Sequence, residues 1–115
     1  MSYDLGLYYN GKPAEVEIFE EGGTYIQGGN TEAKLNITYN YGWFYQTFLD
    51  EKLGIRWLYG KKAKDTIQKL EIVVGILGTK KFDNYWAPTP GNAGYALSIL
   101  LKWARQHPEA IWNGD

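Results

Sequence analysis

Three observations predict an α+β fold, with an N-terminal antiparallel β-sheet, a hairpin plus a further strand, packed against about three C-terminal helices. The first forty residues are rich in β-branched and aromatic side chains that alternate in and out. An Asn10-Gly11 step separates two such runs, and from Gly42 onward the apolar spacing changes to that of a helix. No Pro/Ser-rich linker, low-complexity run or internal repeat interrupts the 115 residues, so one domain over 1–115 is expected.

The first strand runs from Tyr3 to Tyr9 and the second from Ala14 to Glu20. Asn10-Gly11 supplies the positive φ angles that a tight hairpin needs. In the second strand Val16 and Ile18 alternate with Glu15 and Glu17, one face on a core and the other in water. A short Thr24 to Gln27 segment follows, bounded by Gly22-Gly23 and Gly28-Gly29, which fit close backbone approach or a mobile flap. The next strand places Ala33, Leu35, Ile37 and Tyr39 on one face and Lys34, Asn36, Thr38 and Asn40 on the other. That second face carries amides and a hydroxyl rather than Lys and Glu. It reads either as a recognition row or as cross-strand hydrogen bonding.

Trp43, Phe44, Thr47, Phe48 and Leu53 have helical spacing, and Gly54 is placed to end that helix at its C′ position. Ile55 to Gly60 reads as an extended or turn segment. A second helix is expected over about Ala63 to Leu77, with Ile67, Leu70, Val73, Val74 and Leu77 as its apolar stripe and Gly78 as its stop. The last helix has the clearest signals. Thr89 is the N-cap, Pro90 opens the helix, Ala93, Ala96, Leu97, Leu100, Leu101 and Ala104 face inward, and His107-Pro108 stops it.

Composition excludes several chemistries. The net charge of −1 supplies no field for a phosphate backbone or an anionic membrane, so nucleic acid is not expected as the main partner. Cysteine is absent, which removes disulfides, thiolate nucleophiles and most structural zinc sites. The single His107, at a helix end, is read as a charge on the helix dipole rather than as a metal ligand or triad member. No metal site and no cofactor are expected: EF-hand, Walker and dinucleotide-binding spacings are all missing. The N-terminal residues lack a secretion pattern and no apolar run matches a membrane span, so a cytoplasmic protein is expected. Asn36-Ile37-Thr38 matches the glycosylation pattern by chance in that setting. Lys61-Lys62-Ala63-Lys64 and Lys80-Lys81 are small basic patches that read as solvated faces.

Ten Tyr, five Trp and four Phe remain to be explained, and they gather in three segments with Asn and Gly: 36–45, 82–95 and 110–115. Aromatic rings give large contact area at low entropy cost, and Asn offers both donor and acceptor. Asn36, Thr38, Asn40, Tyr41, Asn84, Tyr85, Trp86 and Asn92 are therefore the candidate ligand-binding residues, provided the segments meet in space. A Trp at 112 implies that the C-terminal segment docks back onto the fold.

NITYNYGWF, NYW-x-PTPGNA and WNGD, with GGTY-x-x-GG-x-TE at 22–32 and the Gly54-Ile55-Arg56 to Tyr59-Gly60 segment, resemble a recurrent family of small phage and prophage proteins. Nearly the whole chain takes part, although Gly42 and Trp43 depart from the pattern. That resemblance implies a setting and no catalytic residue. The leading expectation is a non-enzymatic binding protein that recognises a small nucleotide-type ligand or a host defence protein. One alternative is a structural phage component whose aromatics form core and a homo-oligomer interface. The other is a small enzyme on a nucleotide or sugar, with Asp83 or Asp115 as acid/base and Tyr85 as proton partner.

Overall fold

Asn10 and Gly11 adopt φ of 50° and 81°, and the strands on either side pair with Tyr9 opposite Lys12 and Tyr8 opposite Pro13, as the Asn-Gly step predicts. The computed structural model describes residues 1–16, the backbone pairing of 25–26, and residues 31–115. The part of the predicted second strand beyond Val16, and the Gly22-Gly23 and Gly28-Gly29 steps, lie outside the described residues.

Strand β1 (Ser2–Tyr9) is the centre of a five-stranded antiparallel sheet. Along one edge it pairs first with β4 (Lys34–Thr38), Ser2 opposite Thr38 and Gly6 opposite Lys34, and then with β2 (Lys12–Pro13). Its other edge takes β5 (Ile111–Gly114), with Leu7 opposite Trp112. Strand β3 (Tyr25–Ile26) lies outside β4. The C-terminal strand β5 has no strand signal in the sequence, and β2 forms at Lys12–Pro13, in the stretch expected as the turn, before the expected strand start at Ala14. Strand β5 forms because β1 has a second edge to satisfy and Trp112 an indole to bury.

The helices are α1 (Gly42–Phe48), α2 (Ile67–Leu77) and α3 (Pro90–Gln106). Leu5, Leu7, Leu35 and Ile37 from the sheet meet Leu70, Val73 and Leu77 of α2 and Leu97, Leu100 and Trp103 of α3 in one core. The predicted inward residues of α3, from Ala93 to Ala104, are all buried, and Thr89 caps the helix by accepting from Asn92 N–H at 3.2 Å. Helix α1 is shorter than expected. The Asp50 carboxylate accepts the N–H groups of Lys52 and Leu53, at 3.1 and 2.7 Å, and this side-chain turn competes with further helix. Gly54, with φ of 57°, instead opens a 3₁₀ segment, Gly54–Leu58.

The second predicted helix divides in the same way, into a 3₁₀ turn at Ala63–Asp65 and α2 from Ile67. Between them Thr66 is fully buried. Its hydroxyl donates to Ala63 O at 2.7 Å and accepts the Trp112 indole N–H at 2.9 Å. Docking of the C-terminal strand thus fixes the start of α2. The outer edge of β5 is covered by Tyr59 to Lys62, with Gly60 N–H donating to Trp112 O at 2.8 Å and Trp112 N–H to Lys61 O at 3.0 Å.

Two glycines set the route between α2 and α3. A Cβ at Gly94 would lie 1.8 Å from Gly78 O, and one at Gly91 would lie 1.8 Å from Lys80 O. The connecting backbone therefore rides directly on the first turn of α3, a contact that only glycine permits. This crossing delivers residues 82–89 to the end of the sheet where β4 finishes. At the opposite end His107 joins β1 to the segment after β2, Nε2 donating to Glu15 O at 2.6 Å and Nδ1 meeting the Tyr9 hydroxyl at 3.0 Å. A role as a simple dipole charge at the helix end omits both partners.

Candidate ligand-binding surface

Thr38 ends β4 and caps the 3₁₀ turn Tyr39–Tyr41, its Oγ1 accepting from Asn40 N–H at 3.2 Å. The turn sends Tyr41 inward and leaves Tyr39 and Asn40 exposed. Tyr41 is fully buried and its hydroxyl donates to Tyr85 O. Burial first, and the neighbouring Tyr85 second, push the Tyr41 phenol up to about 12, so it remains a donor at neutral pH. One residue earlier, Asn40 Nδ2 donates to Trp86 O at 2.8 Å. Two adjacent side chains therefore tie the first aromatic segment to the second.

The 82–89 loop is held from behind by Asn92, which is only 3% exposed. Its Oδ1 accepts from Phe82 N–H at 2.8 Å, and Nδ2 donates to Asn84 O and Ala87 O at 3.2 and 3.0 Å. Both amide donors are used inside the protein, so Asn92 shapes the loop rather than faces solvent. Asn84 Oδ1 accepts from Trp86 N–H at 3.1 Å in a local turn. That turn lays the rings of Tyr85 and Trp86 together, centroids 4.4 Å apart and planes tilted by 32°. Trp86 stays 48% exposed.

Of the eight predicted residues, Asn40, Asn84, Tyr85 and Trp86 reach the surface and the other four are buried. Asn36 donates across the sheet to Ser2 Oγ at 2.6 Å and Asp4 Oδ1 at 2.5 Å, and Thr38 is the cap just described. The polar row on β4 is thus spent on cross-strand and capping bonds. Asn36, Thr38, Tyr41 and Asn92 build the surface from beneath.

The third aromatic segment joins through a residue that sequence reasoning did not single out. Arg56, in the Gly54–Leu58 turn, donates from Nε to Asp115 O at 3.1 Å and from Nη2 to the Tyr39 hydroxyl at 3.3 Å. Its guanidinium carbon lies 5.0 Å from the Tyr3 ring centre and 5.7 Å from that of Tyr39. Tyr59 also donates to Asp115 O, at 3.2 Å. Burial raises the Tyr59 phenol to about 12, against the opposing pull of Arg56. A lone Arg between two helices carries no spacing signal, and only the fold brings it here. A contact chain of Asp115, Arg56, Tyr39, Asn40 and Trp86 therefore links all three segments.

Asp83 is exposed on the same loop as Trp86, whereas Asp115 lies at the Arg56 end. Among the described residues no three His, Asp or Glu side chains gather as a metal-ligand set. Two open grooves lie elsewhere, one lined by Glu15, Val16, Gln106 and His107 and the other by Tyr8, Asn10, Gly11, Ile111 and Asn113. Neither contains a predicted site residue. Among the described residues no helix is long and apolar enough to cross a membrane. No family model, curated protein or solved structure matches the chain.

Proposed function

We propose that this chain is a non-enzymatic, cytoplasmic binding protein of phage or prophage origin that takes a small nucleotide-type ligand on the surface of Asn40, Asn84, Tyr85 and Trp86. The observation that carries the reading is the half-exposed Tyr85–Trp86 stack set between two anchored amides. Asn40 uses its Nδ2 and Asn84 its Oδ1 in internal bonds, and among the described residues the Asn40 acceptor and the Asn84 donor take no further partner. An aromatic face with one acceptor and one donor beside it matches a planar ring with a mixed polar edge, as nucleobases have. Stacking of this kind contributes about 1–3 kcal/mol per base. Asn and Trp side chains neither take nor give protons at neutral pH, so they hold a ligand without transforming it. The phage setting rests on the motif resemblance.

Thermal unfolding followed by tryptophan fluorescence, against mono-, di- and cyclic nucleotides, tests the reading. Selective binding to the native state raises the transition temperature with dose, and Trp86→Ala abolishes that shift. A flat response across the panel defeats it.

A host protein is the second reading, and Trp43 favours it. This residue is 65% exposed, one helical turn beyond Asn40, and steadied by edge contacts with Phe44 and Phe48. Exposed, rigid Trp is a common anchor in protein interfaces. Capture of a host partner that is lost in Trp43→Ala, with no nucleotide shift in the native chain, would establish this reading in place of the first.

A further inference from the structure

The geometry points to a second subsite, at Arg56 and Asp115, that recognises the ribose hydroxyls of the ligand and so makes the protein select ribonucleotides over deoxyribonucleotides; this inference rests on the nucleotide reading above. Arg56 and Tyr59 hold β5 through the main-chain oxygen of Asp115, which leaves the Asp115 side chain out of that clamp. The Asp115 carboxylate is itself fixed, since Oδ1 accepts from Asp4 N–H at 3.0 Å. Its Oδ2 has no hydrogen-bond partner among the described residues, and neither has Arg56 Nη1, although both side chains are exposed.

Exposed Arg and Asp side chains ordinarily sample many rotamers and lose that freedom at a cost when a ligand binds. Here both side chains already hold partners within the protein. Arg56 is pinned by two hydrogen bonds and two ring faces, and Asp115 by the Asp4 amide. Two fixed groups, a carboxylate oxygen that accepts and a guanidinium N–H that donates, match adjacent hydroxyls, which donate and accept in turn. A phosphate fits less well, because the Asp115 carboxylate would repel it. The subsite also adjoins the aromatic surface: Arg56 contacts Tyr39, and Asn40 next in the chain contacts Trp86. A base stacked at Trp86 and a ribose at Asp115 are joined through this chain of contacts, which suits a ligand longer than one nucleotide.

The test compares affinity for the full set of ribodinucleotides with that for their 2′-deoxy counterparts. Asp115→Asn is the diagnostic variant, because it keeps the oxygen that pairs with Asp4 N–H and replaces the outward acceptor with a donor. The native chain is expected to prefer the ribo set by about tenfold or more, the worth of one hydroxyl bonded to a charged acceptor. Asp115→Asn is expected to lower this preference several-fold, because a neutral amide donor replaces the charged acceptor. Equal affinity for the two sets in the native chain, or an undiminished preference in Asp115→Asn, overturns the subsite and leaves the Trp86 reading standing. Binding of neither set, or binding that survives Trp86→Ala, overturns both. Urea denaturation of Asp115→Asn checks that β5 remains docked. If it does not, Arg56→Lys, which keeps the charge and removes the planar fork, replaces it with the same expected loss of preference.

Discussion

Asn40 Nδ2 donates to the Trp86 carbonyl oxygen across 2.8 Å, joining residues forty-six positions apart at the rim of the proposed site. One carboxamide fixes the place of an exposed indole, and its other polar atom has no hydrogen-bond partner among the described residues. Asn92 supports the same loop from beneath, through Phe82, Asn84 and Ala87.

Asn92→Ala is expected to destabilise the protein by about 1–3 kcal/mol, because Phe82 N–H loses its acceptor and two carbonyls lose a donor. The exposed Asn84→Ala is expected to change stability by less than about 0.5 kcal/mol. Urea denaturation of both variants checks the contrast. The Asn92 variant should also shift the Trp86 environment, since the loop that carries the indole loses its brace.

Gly94→Ala is expected to cost at least about 1–3 kcal/mol, because its Cβ would lie 1.8 Å from a backbone oxygen and the connection must move. Gly75→Ala should act in the opposite direction. Position 75 lies within α2 with no atom within 4 Å of its Cβ, so alanine gains about 0.5–1 kcal/mol of helix propensity. Thermal melts of the pair, one lowered and one raised, check the prediction.

Thr66→Val removes the hydroxyl that accepts the buried Trp112 N–H and is expected to cost about 1–3 kcal/mol. Trp112→Phe removes the donor as well as indole area. A double-mutant cycle should show the Thr66 change costing less when Trp112→Phe is already present, since no N–H is then left unpaired. Equal costs with and without Trp112→Phe would separate the docking of β5 from the start of α2.

Alkali is expected to unfold the protein from about pH 10 upward. Burial raises Tyr41 and Tyr59 from 10.0 to about 12, and Tyr45, wholly buried and bonded to Ala93 O, well above its ordinary value. Above pH 10 the unfolded chain loses these protons first. It then binds fewer protons than the native state, so stability falls as pH rises through the native values. Below pH 10 both states keep the protons and these groups contribute no slope. Tyrosinate absorbance, followed beside urea denaturation from pH 9 to 12, checks both halves.

The local signals that proved legible in the sequence were those whose physics is local. Asn10-Gly11 carries its own turn geometry, and Thr89, Pro90 and the Ala/Leu spacing of α3 carry a cap, a start and a buried face. The meeting of the three aromatic segments was an assumption that the fold supplies, through Asn40, Tyr41 and Arg56. Arg56 itself gave no signal, because its role depends on a tyrosine seventeen residues earlier and an aspartate fifty-nine later. The end of α1 turned on one side chain, Asp50, competing for backbone amides against helix propensity. Asn36 and Thr38 have the residue types of a reader, and side-chain bonds to Ser2 and Asp4 on the neighbouring strand and the start of a turn consumed them instead.

The most direct test is a heteronuclear NMR titration of nucleotides into the isotopically labelled chain, because the five indole N–H signals report from separate places. Selective movement of the Trp86 indole and of the Asn40 and Asn84 carboxamides is expected, with the buried Trp103 and Trp112 signals unmoved. Saturable shifts confined to other residues, or no shift at all with any nucleotide, would contradict it.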